Sequence, residues 1–453
     1  MQALSWDPTL AKKYDLHGPR YTSYPTALEL RSDFPSAPVK QALLTSDAPL
    51  SAYLHVPFCH QLCYYCGCNK IVTRHQHKAD RYLDALAAEF DMYSPLLSHR
   101  GIQHLHLGGG TPTFLNAGQL TRLMFLLRQH LGFVPQADSE VSIEIDPRSC
   151  DLDKLTLLRE LGFNRVSFGV QDFNHIVQQA INRVQPLSMV QELVEHARAL
   201  QFESINLDLV YGLPLQTAQN FEHTLTTLLN LRPDRVSLFS YAHLPNRFAA
   251  QRKIATHDLL AGPAKQQLLL RAIERLSQAG YQSIGMDHFA LPTDNLAKSQ
   301  RQGNMQRNFQ GYTTHGSDCL IGFGVTAISQ VNGVIWQHQK DLPAYYAAVD
   351  AQQLAVDRGF QLSRDDQIRA AAISQLICHF ELDLVAFGNA WQIAAHDDLR
   401  DAFEALEPFI ADGLVVVTPT RIQVTEQGQL WVRLICACFD AYQRNSGQFS
   451  KVI

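Results

Sequence analysis

Four of the chain's nine cysteines fall within ten residues, Cys59-His60-Gln61-Leu62-Cys63-Tyr64-Tyr65-Cys66-Gly67-Cys68, directly after an apolar, strand-like run at 50–58. An even spread of nine cysteines over 453 residues would put roughly 0.2 in such a window, so the cluster marks a site. The spacing Cys59-x3-Cys63-x2-Cys66 brings three thiolates from one tight loop, which suits a four-iron, four-sulfur cluster whose fourth iron has no protein ligand. A zinc knuckle with Cys68 as fourth ligand is the second reading of these residues, although Cys66-x-Cys68 is cramped beside the usual two-residue zinc spacing. The other cysteines (Cys150, Cys319, Cys378, Cys436, Cys438) lie scattered among apolar neighbours, as buried thiols of a reducing compartment do.

The loop must be carried by a fold that holds it at the end of a strand. From residue 50 the chain alternates short strand-like runs, at 51–58, 102–107, 141–145, 165–170, 205–210 and 235–241, with helical patterns at 77–93, 117–130, 152–161, 187–200, 217–231 and 263–279. The runs lack strict alternation, as expected for parallel strands buried on both faces. Six βα units predict an α/β fold built on an incomplete (β/α)6 barrel, with the chemically suggestive residues at the C-terminal ends of its strands. A doubly wound sheet is the alternative, but cysteines stand where a Gly-x-Gly-x-x-Gly turn would follow the first strand.

The expected organisation is an N-terminal arm at 1–48, the barrel at 49–290, a linking segment at 291–344 with a strand (320–331) packing on the barrel, and a mainly helical domain at 345–453. Residues 291–318 are polar and read as irregular. The last segment shows helical patterns at 364–379 and 398–411, a hairpin pattern at 413–424 and a final helix at 428–442, an order like a small winged-helix module. Its charge is not strongly basic, so it is expected to cover the barrel rather than bind DNA, and Cys436-x-Cys438 is expected to pack in the core. A hydrophobic share of 46%, a charged share of 18% and a net charge of −5 support a globular protein with no nucleic-acid partner. Residues 1–15 lack an apolar signal core, and no stretch nears the roughly 18 apolar residues of a membrane span, so a cytoplasmic protein without membrane contact is expected.

Strand ends carry the remaining chemistry. Gly108-Gly109-Gly110-Thr111-Pro112-Thr113 is a turn with almost no side chains, letting backbone groups approach a ligand. Glu144-Ile145-Asp146-Pro147, Gly169-Val170-Gln171-Asp172 and Asn206-Leu207-Asp208 each place polar groups where capping and turn formation also favour them. Glu144 and Asp208 are the more suggestive, because ionised carboxylates make strong hydrogen bonds.

The cysteine loop, with aromatic Tyr65 directly before the third cysteine, resembles that of radical S-adenosylmethionine (SAM) enzymes, and the glycine turn resembles their segment that bonds the cofactor's amino group. In such enzymes SAM chelates the open iron and is split to a 5′-deoxyadenosyl radical. The runs Gly18-Pro19-Arg20-Tyr21-Thr22-Ser23-Tyr24-Pro25-Thr26, 59–70, 108–113, Tyr211-Gly212-Leu213-Pro214, Tyr241-Ala242-His243-Leu244-Pro245, Met286-Asp287-His288-Phe289 and 307–314 together resemble the oxygen-independent coproporphyrinogen III oxidase family over nearly the whole chain.

The resemblance implies a monomeric enzyme of haem biosynthesis that oxidatively decarboxylates two propionates of coproporphyrinogen III to vinyl groups, giving protoporphyrinogen IX. A radical takes one hydrogen atom from the propionate, and loss of carbon dioxide and one electron leaves the vinyl group. It implies Cys59, Cys63 and Cys66 as cluster ligands, without Cys68. Tyr53, Gly109, Glu144, Ala242 and Ile328 would line the first SAM, Tyr53 and Glu144 having a catalytic part. Tyr65, Gly110, Thr111, Gln171, Arg183 and Asp208 would hold a second SAM. An electron donor such as a flavodoxin or ferredoxin is implied. Arg20, Lys70 and Arg307 are candidates for the substrate's carboxylates, and the arm around 20–24 is expected to help close the mouth. His55, His60, His75, His77 and His243 read as turn or packing residues. The alternatives are a haem-binding chaperone of the same superfamily and a zinc-dependent regulatory protein. Metal analysis separates the last: about four irons and four sulfides per chain, with a brown colour lost in air, are expected, and stoichiometric zinc would refute the cluster.

Overall fold

In the computed structural model, residues 7–97, 100–314, 319–442, 449 and 451–452 are described. The chain divides into two compact units, a larger one of residues 30–269 and 315–361 and a smaller one of 1–29, 270–314 and 362–453. The units interleave along the chain, whereas the four expected segments run consecutively.

In the larger unit, β1 (Leu50–Val56), β2 (Ile102–Gly109), β3 (Glu140–Ile145), β4 (Arg165–Gln171), β5 (Ser204–Tyr211) and β6 (Arg235–Ser240) pair in sequence order, all parallel. Helices α1 (His77–Leu97), α2 (Ala117–Leu131), α3 (Leu152–Glu160), α4 (Leu187–Ala199) and α5 (Ala218–Leu231) connect them. Local signals start these helices where the periodicity places them. Asn116 and Gln119 form a capping box on α2, Thr217 and Asn220 another on α5, and Asp151 accepts from the Lys154 N–H on α3.

The strands differ from expectation in one respect that matters for chemistry. Leu54, Leu107, Ile143, Val166 and Ile205 stand abreast in the ladder and are buried. The alternate positions are polar: Tyr53, His106, Ser142, Glu144, Ser167, Asn206 and Asp208. Alternation is therefore present, most plainly in Glu140–Ile145 and at 204–209, and corrects the expectation of strands without it.

The sheet continues beyond β1. The pattern predicts one strand in 320–331, whereas the structure holds β7 (Cys319–Phe323), β8 (Ile328–Val331), β9 (Val334–His338) and β10 (Val356–Gln361). Strand β7 is parallel to β1, with Phe323 opposite Leu54, and β8, β9 and β10 follow antiparallel to one another. A fully buried carboxylate ties these strands to α1. Glu89 accepts from the Gly324 N–H at 2.9 Å and the Tyr345 hydroxyl at 2.7 Å, and its other oxygen lies 3.0 Å from His338 Nδ1. Tyr93 Oη meets His338 Nε2 at 3.0 Å, and Tyr82 Oη donates to the His55 carbonyl at 2.7 Å while accepting from the Val325 N–H.

In the smaller unit the arm packs on helix Val432–Ala437, the last among the described residues. Tyr14 stacks on Phe409 with centroids 4.9 Å apart, and Arg433 donates to the Gly18 and Pro19 carbonyls. Residues 291–314 are ordered elements rather than the expected irregular stretch. Asp294 caps a helix, Asn295–Gln302, and Gln306–Asn308 pairs with Gly311–Thr313. The helix buries only Leu296, Ala297 and Ser299, too little apolar surface for a periodic signal. Residues 315–318 of the expected polar run lie outside those described.

Helix Arg364–His379 forms as expected, while the 398–411 pattern resolves into Ala395–Asp398 and Arg400–Ala411. The hairpin Val415–Thr418 with Arg421–Val424 gains a third strand, Glu381–Asp383. The final 428–442 pattern yields a 3-10 turn at Gly428–Trp431 and the short helix Val432–Ala437. Cys436 is fully buried in that helix, as expected, whereas Cys438 lies just past its end and is only partly buried, against the expectation for the pair. Among the described residues no helix is long and apolar enough to cross a membrane.

Removing the Glu89 carboxylate strands the Tyr345 hydroxyl and the Gly324 N–H in the interior and takes a carboxylate from beside His338, whose Nδ1 keeps the Gly324 carbonyl at 3.0 Å. Glu89→Ala is expected to destabilise the larger unit by about 3–5 kcal/mol, and Glu89→Gln by less. Chemical denaturation checks this, and an unchanged midpoint for Glu89→Ala would refute the tie.

Candidate active site

The residues singled out from sequence for the cluster and SAM all fall in the larger unit. Tyr53 stands on β1, Glu144 on β3, Gln171 at the end of β4 and Asp208 on β5, with Gly109 closing β2 and Gly110 and Thr111 just past it. Ala242 follows β6, and Ile328 opens β8. Parallel pairing in sequence order brings the strand ends together, so residues distant in sequence become neighbours.

The β1–β3 corner is the tightest. Glu144 accepts from the Gly109 N–H at 3.2 Å and lies 3.5 Å from His106 Nε2, while His106 Nδ1 contacts Ser142 Oγ at 2.7 Å. Tyr53 stacks on His106 with centroids 5.9 Å apart. A Cβ on Gly108 would press on both Tyr53 and Glu144 at 3.1 Å. Gly109 has φ +109°, and a Cβ there would come within 2.6 Å of the His55 ring, so both conformation and space demand glycine.

His55 is more than the packing residue expected. Burial lowers its pKa to about 4, so its ring is neutral at pH 7. A neutral ring has one donor and one acceptor. With Nε2 3.2 Å from the Asn69 carbonyl, the proton belongs on Nε2, leaving Nδ1 to accept from Tyr53 Oη at 3.0 Å. The ring thereby ties the strand tyrosine to the far end of the cysteine loop.

That loop returns beside itself. Phe58–Cys59 pairs in parallel with Ile71–Val72, the Tyr64 N–H donates to the Ile181 carbonyl, and Asn182 Nδ2 donates to the Leu62 carbonyl at 2.8 Å. Gly110 lies so close to the loop that a Cβ would meet the Pro57 backbone at 2.8 Å. Cys59 and Cys63 are buried, Cys66 is partly exposed, and all three are free thiols. Hydrogen-bond donors reach each of them. Thr111 Oγ1 donates to Cys59 Sγ at 3.3 Å, Arg148 and Arg183 both reach Cys63 Sγ at 3.4 Å, and the Cys68 N–H reaches Cys66 Sγ at 3.4 Å. Burial pushes the Cys59 thiol up to about 11. Hydrogen bonding from Cys68 and the charge of Lys70 lower Cys66 against burial.

Asp146 organises the two guanidinium groups, bonding Arg148 at 2.7 Å and Arg183 at 2.9 Å. Burial alone would raise its pKa, but the Arg183 charge and the bonds from Arg148 hold it at about 2. Two cations against one anion leave a net positive charge facing Cys63. Anionic sulfurs under hydrogen-bond donors and positive charge suit the donor set of an iron–sulfur cluster. Among the described residues no three His, Cys, Asp or Glu side chains converge as a single metal ion demands. In a four-iron cluster each thiolate serves a different iron, so the sulfurs surround the group instead of meeting at a point. Three thiols spread along one loop fit that arrangement.

Arg183 also donates to the Gly169 carbonyl through Nε at 3.1 Å and through Nη2, so most of its donors are engaged by the chain. Gln171 adopts φ +70°, with its Nε2 close over Gly169. Gln251 Nε2 spans the Tyr65 and Ala242 carbonyls at 2.9 and 3.2 Å. Ile328 is tied to Tyr53 through Gly322, which pairs with Tyr53 and lies against the Ile328 carbonyl. Asp208 accepts from Asn206 Nδ2 at 2.7 Å and Ser167 Oγ at 3.0 Å, while Asn206 Oδ1 accepts from Ser237.

The proposed carboxylate binders divide. Lys70 donates to the Cys66 and Cys68 carbonyls, Arg20 pairs with Asp287, and Arg307 packs on the Tyr312 ring at 4.5 Å; the two arginines belong to the smaller unit. Sequence reasoning missed Arg148, His106 and Gln251, and read Asp146 as a cap. Asp146 does cap, accepting from the Arg148 N–H, and its second role depends on Arg183 arriving from another βα unit.

The model of the radical SAM superfamily matches residues 53–228, and that of the HemN C-terminal domain matches 362–431. The chain is 51% identical to the oxygen-independent coproporphyrinogen III oxidase of Salmonella typhimurium (strain LT2), covering 100% of this chain and 99% of that protein. It is 51% identical to the protein of the same name from Escherichia coli (strain K12), covering 100% of both. A solved structure of coproporphyrinogen III oxidase (HemN) from Escherichia coli, described as a radical SAM enzyme, superposes with a TM-score of 0.94 at 50% identity, covering 98% of this chain and 100% of that one.

Burial pushes the Asp208 carboxyl up to about 6, with the Glu144 charge adding to the rise. The folded state therefore binds a proton more readily than the unfolded chain, and Asp208 costs the fold stability as pH rises through about 4 to 6. Carbon-13 NMR of labelled aspartate in the apoprotein is expected to find a carboxyl titrating near pH 6, absent in Asp208→Asn and moved down in Glu144→Gln. A midpoint near 4 would refute the assignment.

Proposed function

The chain belongs to the oxygen-independent coproporphyrinogen III oxidases, built on the α/β radical SAM fold, and on that premise we propose how its residues perform oxidative decarboxylation of two propionates of coproporphyrinogen III to vinyl groups. The relatives carry the oxidase name, and the haem-carrier alternative draws no support from them. The zinc-dependent regulator is likewise set aside by the family. The observation that carries the reading is the set of three free thiols, each reached by a hydrogen-bond donor, at the end of a strand whose neighbours turn a polar face to the same end.

Cys59, Cys63 and Cys66 would hold the four-iron cluster, and Cys68 serves as a backbone donor to Cys66. When bound, the cluster and SAM supply the means to take a hydrogen atom from an unactivated propionate C–H bond. The protein's own part is placement and protection. Thr111, Arg148 and Arg183 offset negative charge on the sulfurs. Tyr53, held by His55 and His106, and Glu144, held by Gly109 and His106, form a corner with fixed acceptors for the ammonium or ribose hydroxyls of SAM. Gly109, Ala242 and Ile328 complete its lining. The resemblance supports a second SAM held by Tyr65, Gly110, Thr111, Gln171, Arg183 and Asp208, although Arg183's engagement with Asp146 and Gly169 leaves it few donors to offer.

The parallel strands are assigned to an incomplete barrel of six βα units, and the three-stranded sheet at 381–424 to a winged-helix-like module. Lys70, Arg20 and Arg307 are the proposed partners of substrate carboxylates. A monomer working in the cytoplasm, without nucleic acid or membrane and with a flavodoxin or ferredoxin as electron donor, completes the reading.

Reconstituted protein given SAM, dithionite and coproporphyrinogen III without oxygen is expected to form vinyl product with matching 5′-deoxyadenosine. Cleavage of SAM without vinyl product would overturn the substrate. Equilibrium dialysis is expected to find about two SAM per chain, falling to about one in Asp208→Ala with the cluster's colour retained. One SAM in both proteins would remove the second site.

A further inference from the structure

The cysteine loop borders a cleft of about 790 Å³ outside the corner formed by Tyr53 and Glu144. Its wall includes His60, Gln61 and Leu62, the three residues between Cys59 and Cys63. Val72, also in the wall, stands directly opposite Cys59 in the short parallel ladder. The cleft is thus one covalent step or one ladder rung from two of the thiols. The loop is held firmly there, because Asn182 bonds the Leu62 carbonyl and Arg148 bonds Gln61 Oε1 at 2.9 Å.

The wall's chemistry is one-sided. Arg74 and Lys78 line it, and no carboxylate does. Both are exposed, and among the described residues neither forms an ion pair. Val72 contributes an apolar spot 44% exposed, and Val184, two residues beyond the wall residue Asn182, is equally open at 44%. A small apolar area rimmed by charge of one sign matches transient electron-transfer contacts, which bury little surface and rely on charge for encounter.

We propose that this cleft is the docking surface for an acidic one-electron carrier protein of the flavodoxin or ferredoxin class. The inference rests on the cluster reading above and gives its electron a point of entry. One electron leaves the carrier and enters the cluster through the 59–63 loop, and no bond forms or breaks. Entry here leaves the polar strand face free for SAM and substrate.

Reconstituted holoenzyme is mixed anaerobically with chemically reduced flavodoxin, and bleaching of the cluster absorbance is followed by stopped flow at rising ionic strength. Arg74→Glu with Lys78→Glu is expected to slow the second-order rate roughly tenfold and to flatten its salt dependence. Reduction by dithionite, which needs no docking, is expected to be unchanged. The milder Arg74→Gln with Lys78→Gln variant guards against loss of the loop and should slow the flavodoxin rate several-fold with full iron content. Equal flavodoxin rates in wild type and both variants overturn the proposal, as does a wild type reduced by dithionite but not by flavodoxin or an acidic ferredoxin. Absence of vinyl product under dithionite would instead defeat the function, while the cluster-reduction rates still decide the docking surface.

Discussion

Tyr53 pairs with His106, His106 with Ser142 and Glu144 with Ser167 along the parallel ladder, and successive residues of a strand point to opposite faces. That register places Tyr53, Glu144 and Asp208 on the same side of the sheet. A slip of one residue in any pair would exchange Leu54, Leu107 or Ile143 for a polar group in the apolar layer. Burial of those side chains therefore sets the geometry of the chemistry on the other face. The same register forces glycine at 108 and 109, where the backbone of β2 passes against Glu144, Tyr53 and His55.

Charge handling dominates next to the thiols. A loop meant to carry anionic sulfur inside a protein needs compensation, since isolated buried charge is costly. Asp146 stays ionised and grips both Arg148 and Arg183, so the guanidinium groups are fixed before any ligand arrives. Their surplus positive charge is directed at Cys63. The cations Arg74 and Lys78, which line the cleft beside the loop, are by contrast exposed.

The buried Glu89 network serves the same end at longer range. Its bonds to Gly324, His338 and Tyr345 join helix α1 to the strands that carry Ile328, and Tyr82 links the same helix to the His55 carbonyl. Residues on both sides of the Tyr53 corner are thereby referenced to one helix. Buried networks of this kind favour one arrangement over near alternatives, because a shift would strand the Gly324 N–H or the Tyr345 hydroxyl.

Local pattern was enough for much of this. The six parallel strands and their helices lie within a few residues of where hydrophobic runs, Asn116, Asp151 and Thr217 place them, since burial and capping act over single turns. Cysteine spacing alone marked the loop proposed to hold the cluster. Other features were illegible for definable reasons. The strands β7 to β10 extend the sheet only because β1 offers an edge far away in sequence, and helix Asn295–Gln302 buries too few apolar residues to show a period. The roles of Arg148 and Gln251 depend on partners from other βα units, Cys63 for the one and Tyr65 for the other, which no local window contains. What the sequence determined by itself was the identity of the donors and the order of the elements, both being properties of short stretches. Tertiary structure alone decided which donors face which sulfur and that Asp146 binds Arg183 besides its neighbour Arg148, because those contacts exist only once the ladder brings separate strand ends within hydrogen-bonding distance.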